Sequence, residues 1–208
     1  MPVVEPFERF TERYEEWFTK HEKAYISEIN AIKKVLPSGK TIEIGTGTGR
    51  FSIPFNINYG VEPSLKMAVI AKCRGINVVR GVAEALPLKN NSFDNVLMVT
   101  TVCFVDDIEK SFLEVKRILK KNGSFVVGFI DKNSKLGRFY LKHKEENPFY
   151  RYAKFYSTEE ILFLLRETGF TVKEIYQTVF RLLSEIKQVE PVKEGYGEGA
   201  FVVVRGEV

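Results

Sequence analysis

The chain has 208 residues, of which 44% are hydrophobic and 28% are charged, and its formal net charge is +4. This length is enough for one domain with a full core, and the composition excludes a disordered or fibrous chain. The two cysteines form neither a disulfide framework nor a metal-binding motif, and no apolar run reaches the roughly 18 residues of a membrane span. Since the N-terminus also lacks the layout of a signal peptide, we expect a cytoplasmic protein without a metal site.

The N-terminal segment, residues 1–37, predicts a helical cap. Apolar and aromatic side chains recur three or four positions apart over Phe7–Leu36, without a glycine or proline between them. The stretch "TKHE" (Thr19–Glu22) has the pattern of a capping box, so two helices are expected, Phe7–Phe18 and Lys20–Val35.

Strand and helix patterns then alternate along the chain. The predicted strands are Thr41–Ile44, Tyr59–Glu62, Asn77–Arg80, Asn95–Thr100 and Ser124–Ile130. The predicted helices are Thr48–Phe55, Ser64–Cys73, Ile108–Lys120 and Ser157–Thr168, the last opening with the capping box "STEE". This alternation is typical of βαβ units and predicts a parallel sheet covered by helices on both faces.

The C-terminal part departs from this alternation. Thr171–Phe180 and Ala200–Arg205 are strand patterns, and between them only Leu182–Gln188 has a helical pattern. We therefore expect an antiparallel pair of strands at one edge of the sheet, in a single domain that spans residues 1–208.

The loop "IEIGTGTGRF" has a glycine at every second position, Gly45, Gly47 and Gly49, directly after a predicted strand. In an open parallel sheet, ligands bind beyond the carboxyl ends of the strands. Glycines let such a loop turn tightly and bring its backbone N–H groups against a ligand. The alternative is a tight turn in which the glycines serve packing alone.

Glu62 ends the next predicted strand, where a carboxylate can accept hydrogen bonds from the two hydroxyls of a ribose. The NAD fingerprint would require a glycine where the chain has Arg50, and Pro54 interrupts the short connecting helix. The loop therefore favours a nucleoside without a diphosphate, and an NAD(P)-binding oxidoreductase is the alternative.

Five stretches together resemble the class I S-adenosylmethionine-dependent methyltransferases, and within them the small-molecule "type 11" group similar to quinone-biosynthesis methyltransferases. They are "EIGTGTG", "GVEPS", "GVAEALPLKNNSFDNVLMVTTV", "VKRILKKNGSFVV" and "AFVVVRG". The resemblance covers about the whole chain. It implies an α/β fold with a Rossmann-like seven-stranded methyltransferase sheet, parallel except for its last strand, and S-adenosyl-L-methionine as the cofactor.

The resemblance also implies a role for individual positions of the cofactor site. Gly45 and Gly47 would bring bare backbone against the methionine part and the ribose, Glu43 would orient the ammonium group and Glu62 would hold the ribose hydroxyls. The other positions implied at the cofactor are Thr46, Pro63, Ser64, Met67, Val82, Ala83, Glu84 and Thr100.

Val82 departs from the family pattern, because it stands in "GVA" where the family has the aspartate of "GDA". The adenine is then held by apolar contact, or Glu84 substitutes for the aspartate. Losing one neutral hydrogen bond, about 0.5–1.5 kcal/mol, would weaken cofactor binding without abolishing it.

Methyl transfer needs an aligned acceptor rather than a protein nucleophile, so the absence of a catalytic triad is expected. If the acceptor must lose a proton, His21 and Tyr14 are the candidate bases. Cys103 lies in an apolar run that is more typical of core packing, and His143 is the weaker histidine. The stretch "NPFY" resembles the Asn-Pro-Pro-Tyr motif of enzymes that methylate amino groups, but it does not follow the fourth strand.

Two segments are candidates for the wall of an acceptor pocket. The aromatic stripe of the N-terminal helices either docks them on the sheet or roofs the pocket, and residues 131–156, rich in basic and aromatic side chains, form a predicted lid. The predicted pocket residues are Tyr14, Trp17, Phe18, Tyr25, Thr101 and Phe139. We expect a small-molecule acceptor; an RNA methyltransferase that uses the basic lid and a non-catalytic cofactor-binding protein are the alternatives.

Overall fold

The strands of the computed structural model, which describes residues 3–208, belong to one eight-stranded sheet. In chain order they are β1 (Thr41–Ile44), β2 (Tyr59–Val61), β3 (Asn77–Val79), β4 (Phe93–Val99), β5 (Leu119–Ile130), β6 (Thr171–Thr178), β7 (Lys193–Glu194) and β8 (Phe201–Glu207). Their order across the sheet is β3-β2-β1-β4-β5-β8-β6-β7.

The first five strands are parallel, and β8 runs antiparallel to both of its neighbours, β5 and β6. The predicted mixed sheet is therefore confirmed, with β8 inserted between β5 and β6. The strand β7 was not predicted. The strand β7 has only two residues, too few to give a sequence pattern. It pairs antiparallel with Tyr176–Gln177 of β6.

Seven helices accompany the sheet in residues 3–208. They are α1 (Glu5–Arg9), α2 (Thr11–Lys20), α3 (Glu22–Val35), α4 (Leu65–Cys73), α5 (Ile108–Ile118), α6 (Lys135–Lys142) and α7 (Thr158–Glu167). The predicted capping box of α7 is confirmed, because Ser157 and Glu160 bond each other's backbone amides. In the part of the chain that the structure describes, no helix is long and apolar enough to cross a membrane.

Two predicted helices are wrong. The segment Thr48–Phe55 forms turns and one short 3-10 turn, Ile53–Phe55, because Gly49 has a φ of +87° and Pro54 cannot supply a helical N–H. The segment Leu182–Gln188 likewise contains only the 3-10 turn Leu183–Glu185.

The N-terminal cap also differs from its prediction. The first predicted helix is divided at Phe10, whose φ of −117° and ψ of 32° lie outside the helical region. The capping box "TKHE" does not form. Thr19 lies inside α2, and His21 precedes α3 without a side-chain cap.

The core has one large hydrophobic cluster on each face of the sheet. Val96 and Met98 of β4 pack into the cluster that includes α5 and α7, whereas Leu97 and Val99 pack into the cluster that includes α3. Successive side chains of a strand point to opposite faces, so β4 contributes to both clusters. Burying one such side chain stabilises the fold by about 1.5–3 kcal/mol.

Glu15 fastens α2 to the glycine loop. Its carboxylate accepts hydrogen bonds from Arg50 and Arg74, each 2.5 Å away at its shortest, and from the Thr48 hydroxyl. Burial alone would raise the pKa of Glu15, but these hydrogen bonds lower it to about 2. The cap is therefore held over the sheet by a partly buried ion-pair network.

Replacing Glu15 by Gln should lower the free energy of unfolding at neutral pH by about 1–3 kcal/mol, because two guanidinium groups lose their charged partner. The folded-state pKa is depressed, so this stabilisation is complete above the usual value of 4.5 and is lost as the pH falls toward 2. Urea unfolding across this range measures the difference. The matched control is Glu12→Gln on the exposed side of α2, and equal effects of the two changes would contradict the role of Glu15.

Candidate functional site

The glycine loop leaves β1 with its backbone pressed against neighbouring side chains. Gly45 and Gly47 have φ values of +71° and +55°, which disfavour any other residue. A Cβ at Gly45 would lie 2.4 Å from the Thr101 side chain, and one at Gly47 would lie 3.0 Å from the Tyr14 hydroxyl oxygen. The loop therefore needs bare backbone at the two positions where it lines a cavity.

Glu43 holds this loop in place through hydrogen bonds. One of its carboxylate oxygens accepts hydrogen bonds from the Thr46 hydroxyl, at 3.1 Å, and from the Ser52 hydroxyl. Burial raises the pKa of Glu43 to about 8, although the two hydroxyls oppose the rise. Glu43 and Thr46 do not line the cavity, so their contacts position the loop.

Glu62 joins the loop to the end of β2. Its two carboxylate oxygens accept hydrogen bonds from the backbone N–H groups of Gly47, at 2.8 Å, and Ser64, at 2.9 Å. Burial raises the pKa of Glu62 to about 7, although both backbone hydrogen bonds lower it. Each oxygen keeps a further lone pair, so this carboxylate can still accept from two hydroxyl groups in the cavity.

Cavity 1, of about 90 Å³, lies at the carboxyl ends of β1, β2 and β4. Nine of the predicted cofactor residues line it: Gly45, Gly47, Glu62, Pro63, Met67, Val82, Ala83, Glu84 and Thr100. Ser64 does not line it, because its hydroxyl caps α4 by accepting from the Met67 N–H at 3.2 Å. The sequence missed Phe7 and Phe104, which close the cavity from α1 and from the chain after β4.

Glu84 and Thr100, which line cavity 1, each form a hydrogen bond to another part of the chain. One Glu84 oxygen accepts from the backbone N–H of Asp106 at 2.7 Å, which ties the two loops beside Val82 together. Thr100 has a φ of +49°, an unusual value for a branched residue, and its N–H donates to the Gly128 carbonyl at 2.8 Å. Strained backbone of this kind clusters at functional sites.

Cavity 2, of about 360 Å³, adjoins cavity 1. The two share a wall formed by Phe7, Tyr14, Thr100 and Phe104, which we call the common wall. The rest of the lining of cavity 2 is rich in aromatic side chains. It includes Trp17, Phe18, Phe51, Phe129, Tyr140, Phe149, Tyr150, Phe155 and Tyr156. Cavity 2 is therefore a large aromatic chamber beside the smaller cavity 1.

The predicted pocket residues do not all line the same cavity. Trp17 and Phe18 line cavity 2, and Thr101 lines cavity 1. Tyr25 lines neither, because its hydroxyl donates to the Arg50 carbonyl oxygen. Phe139 also lines neither; its ring is 44% exposed and lies 4.6 Å from the His143 ring.

The side chains considered as bases or nucleophiles are neutral near pH 7. Burial, together with the charges of Glu43 and Glu62, raises the pKa of Tyr14, so its hydroxyl stays protonated. Burial and Lys20 lower the pKa of His21, which lines cavity 2 beside Trp17. Burial raises the pKa of Cys103 to about 12, which makes its thiol inert.

Glu28 is a residue of cavity 2 that the sequence interpretation did not identify. It lies on the buried face of α3 with Ala24, Ala31 and Ile32, three or four positions away. A charged residue on the apolar face of an amphipathic helix is the signal that could have found it. Within residues 3–208, no group of three or more metal-ligating side chains is found.

A family model and three related proteins match this chain. The family model "Methyltransferase domain" matches residues 42–127. An S-adenosylmethionine-dependent methyltransferase of Thermotoga maritima, described as a possible histamine N-methyltransferase, is 55% identical with a TM-score of 0.96 over 98% of both chains. An uncharacterized protein of Methanocaldococcus jannaschii is 43% identical over 97% of this chain and 98% of its own. The demethylmenaquinone methyltransferase of Renibacterium salmoninarum is 31% identical over 44% of this chain and 41% of its own.

The buried carboxyl of Glu43 should make stability fall with rising pH. Its folded-state pKa is raised, so its stabilising effect is complete below 4.5, declines between 4.5 and about 8, and is lost above that. Glu43→Gln should reduce this decline by about 2 kcal/mol or more, as measured by urea unfolding at several pH values. An unchanged slope in the variant would show that Glu43 ionises normally in the folded protein.

Proposed function

We propose that this chain, which belongs to the class I S-adenosylmethionine-dependent methyltransferases of the type 11 group, methylates a small-molecule acceptor bound in cavity 2. The observation that carries the proposal is the common wall. Tyr14 and Phe104 line both cavities, so a molecule in the aromatic chamber lies directly beside the cofactor site. Membership of this family also overturns the alternative of an NAD(P)-binding oxidoreductase.

The residues of cavity 1 fit S-adenosylmethionine. Glu62 offers two acceptors for the ribose hydroxyls, and the bare backbone of Gly45 and Gly47 permits the close approach that the methionine part requires. Val82 and Ala83 supply an apolar wall for the adenine in place of the usual aspartate. The cavity of about 90 Å³ is smaller than typical ligand sites of roughly 300–1,000 Å³.

Because cavity 1 is narrow and Phe7 of α1 lines it, we expect α1 to shift when the cofactor enters. Phe7 of α1 lies over cavity 1, with its ring 5.0 Å from that of Phe104 and 5.2 Å from that of Phe149. Glu8 of the same helix accepts from the backbone N–H of Leu65 at the start of α4. These are the contacts that an entering ligand would replace.

S-Adenosylmethionine supplies a methyl group on a positively charged sulfur, so an acceptor lone pair forms the new bond as the methyl–sulfur bond breaks and S-adenosylhomocysteine leaves. The protein contributes alignment of the acceptor and exclusion of water, which supply much of the rate. The aromatic lining of cavity 2 and the common wall fit both tasks. The protonated Tyr14 hydroxyl cannot accept a proton at neutral pH, whereas the neutral imidazole of His21 in cavity 2 can act as the base for an acceptor that must lose one.

A small molecule is favoured over RNA because five of the seven aromatic side chains of the predicted lid line cavity 2, and only Phe139 and Tyr152 are exposed. Tyr140, Tyr150 and Phe155 line cavity 2, and the rings of Tyr140 and Tyr150 lie 4.6 Å apart. Rings that stack on bases of a single strand are accessible on the surface. The basic side chains of the segment are exposed, as for Arg151 and Lys154, and have the solvated character of an ordinary surface.

Glu62→Gln should weaken the binding of S-adenosylhomocysteine by about 10- to 100-fold, because a neutral amide replaces a carboxylate that receives charge-assisted hydrogen bonds. Isothermal titration calorimetry measures the change directly. Glu12→Gln, an exposed acid of α2, is the control and should bind as the wild type does. Equal affinities of the wild type and Glu62→Gln would exclude Glu62 from the ribose site.

Methyl-labelled S-adenosylmethionine, incubated with the protein and a fractionated cell extract, should label the small-molecule fraction. Mass spectrometry of the labelled product then identifies the acceptor. Label confined to a macromolecular fraction would contradict the proposal, and its loss on RNase treatment would instead support RNA methylation. The same extract, incubated with labelled S-adenosylmethionine but without the protein, gives the background.

A further inference from the structure

Glu28 stands apart from the other buried acids of the chain. Five acidic side chains are buried in residues 3–208: Glu28, Glu43, Glu62, Asp131 and Glu190. Glu43 and Glu62 receive the hydrogen bonds described above. Asp131 accepts from the Thr158 hydroxyl at 2.6 Å, and Glu190 pairs with Arg181 at 3.1 Å. Glu28 alone of the five receives no hydrogen bond and forms no ion pair with the described residues.

This unpartnered carboxyl lines cavity 2, and its residue is only 3% exposed. The other acidic and basic side chains of the lining, Arg13, Glu16 and Lys20, are exposed, and His21 is half-buried. The chamber thus has charged groups at an exposed rim and a single acid in its buried part.

The surroundings of Glu28 keep it protonated near neutral pH. Burial raises its pKa to about 8. The titratable groups that interact with it are Tyr25 on its own helix, Tyr140 on α6 and Tyr150, and burial raises the pKa of all three. None of these neutral hydroxyls supplies the positive charge that would stabilise a carboxylate.

We propose that Glu28 anchors a basic nitrogen of the methyl acceptor, so that cavity 2 takes a small amine with an apolar body. The inference rests on the proposed function, because it assigns the chemistry of the acceptor in the same chamber. A buried acid without a protein partner is stabilised when a ligand cation pairs with it. Trp17 and Tyr140 also line this chamber, and an aromatic ring facing the cation would add cation–π attraction that a neutral ligand does not receive.

The position of Glu28 also orients the acceptor. Glu28 lines cavity 2 and is absent from the common wall, which adjoins the cofactor site. A nitrogen paired with Glu28 would leave the other end of the acceptor free to approach the common wall at Tyr14 and Phe104. A chamber of about 360 Å³ has room for a molecule that extends between these two ends.

The test compares amines with neutral molecules of the same shape. The probes are benzylamine, 2-phenylethylamine and 3-phenylpropylamine, each paired with its alcohol, titrated by calorimetry into protein saturated with S-adenosylhomocysteine. At least one amine should bind the wild type about 30-fold or more tightly than its alcohol. Because Glu28 starts protonated, amine binding should release a proton, which titrations in two buffers of different ionisation enthalpy detect.

Glu28→Gln keeps the shape of the protonated acid and should lose both the amine preference and the proton release. Glu12→Gln, an exposed acid outside the cavity lining, should keep both. Equal binding of every amine and its alcohol to the wild type, or an unchanged amine preference in Glu28→Gln, would overturn the inference. If Glu28→Gln fails to bind S-adenosylhomocysteine, the inference is tested on the wild type alone. Its preference for an amine over the alcohol and its proton release then decide whether the amine site exists.

The same titrations separate this inference from the proposed function. Wild-type protein that does not bind S-adenosylhomocysteine overturns the proposed function and the amine site with it. Wild-type protein that binds S-adenosylhomocysteine but shows no preference for amines overturns the amine site alone. In that case the acceptor is a neutral small molecule in the same chamber.

Discussion

Two backbone N–H groups converge on the Glu62 carboxylate, and the geometry of cavity 1 depends on this convergence. Gly47 donates from the loop after β1, and Ser64 donates from the residue that precedes α4. The loops meet because β1 and β2 are adjacent and parallel, which brings their carboxyl ends to the same edge of the sheet. One acid therefore fixes the glycine loop, the start of α4 and the wall of cavity 1 relative to each other.

The N-terminal cap connects this site to the aromatic chamber. Glu15 holds α2 against the glycine loop through Arg50 and Arg74, and Tyr14, the preceding residue, lines both cavities. A ligand in either cavity thus contacts the same helix. Phe7 of α1 lines cavity 1 and belongs to the common wall, so α1 also forms part of both cavities.

Much of the fold follows from local patterns. The strands β1 to β4, β6 and β8 and the helices α4, α5 and α7 were predicted to within about two residues, because alternation and 3.6-residue periodicity depend on neighbours in the chain. The strand β5 begins at Leu119 rather than at the predicted Ser124, inside the predicted helix Ile108–Lys120. The prediction failed at Thr48–Phe55, where a helical composition is overridden by the backbone of Gly49 and by Pro54. It also failed at "TKHE", where α2 continues past Thr19 and leaves no end for the capping box to satisfy.

The sequence by itself determined the class of protein, the glycine loop and the acid at the end of β2. The class follows from five motifs taken together, and the loop and Glu62 are recognised by residue types directly after two predicted strands. Only the tertiary structure decided which side chains meet across the chain. It brought Phe7, Phe104 and Phe149 together, and it placed Tyr140 and Tyr150 of the predicted lid inside cavity 2. It also buried Glu28 without a partner. These placements depend on how separate helices and loops pack on the sheet, and no periodicity in the sequence records such contacts.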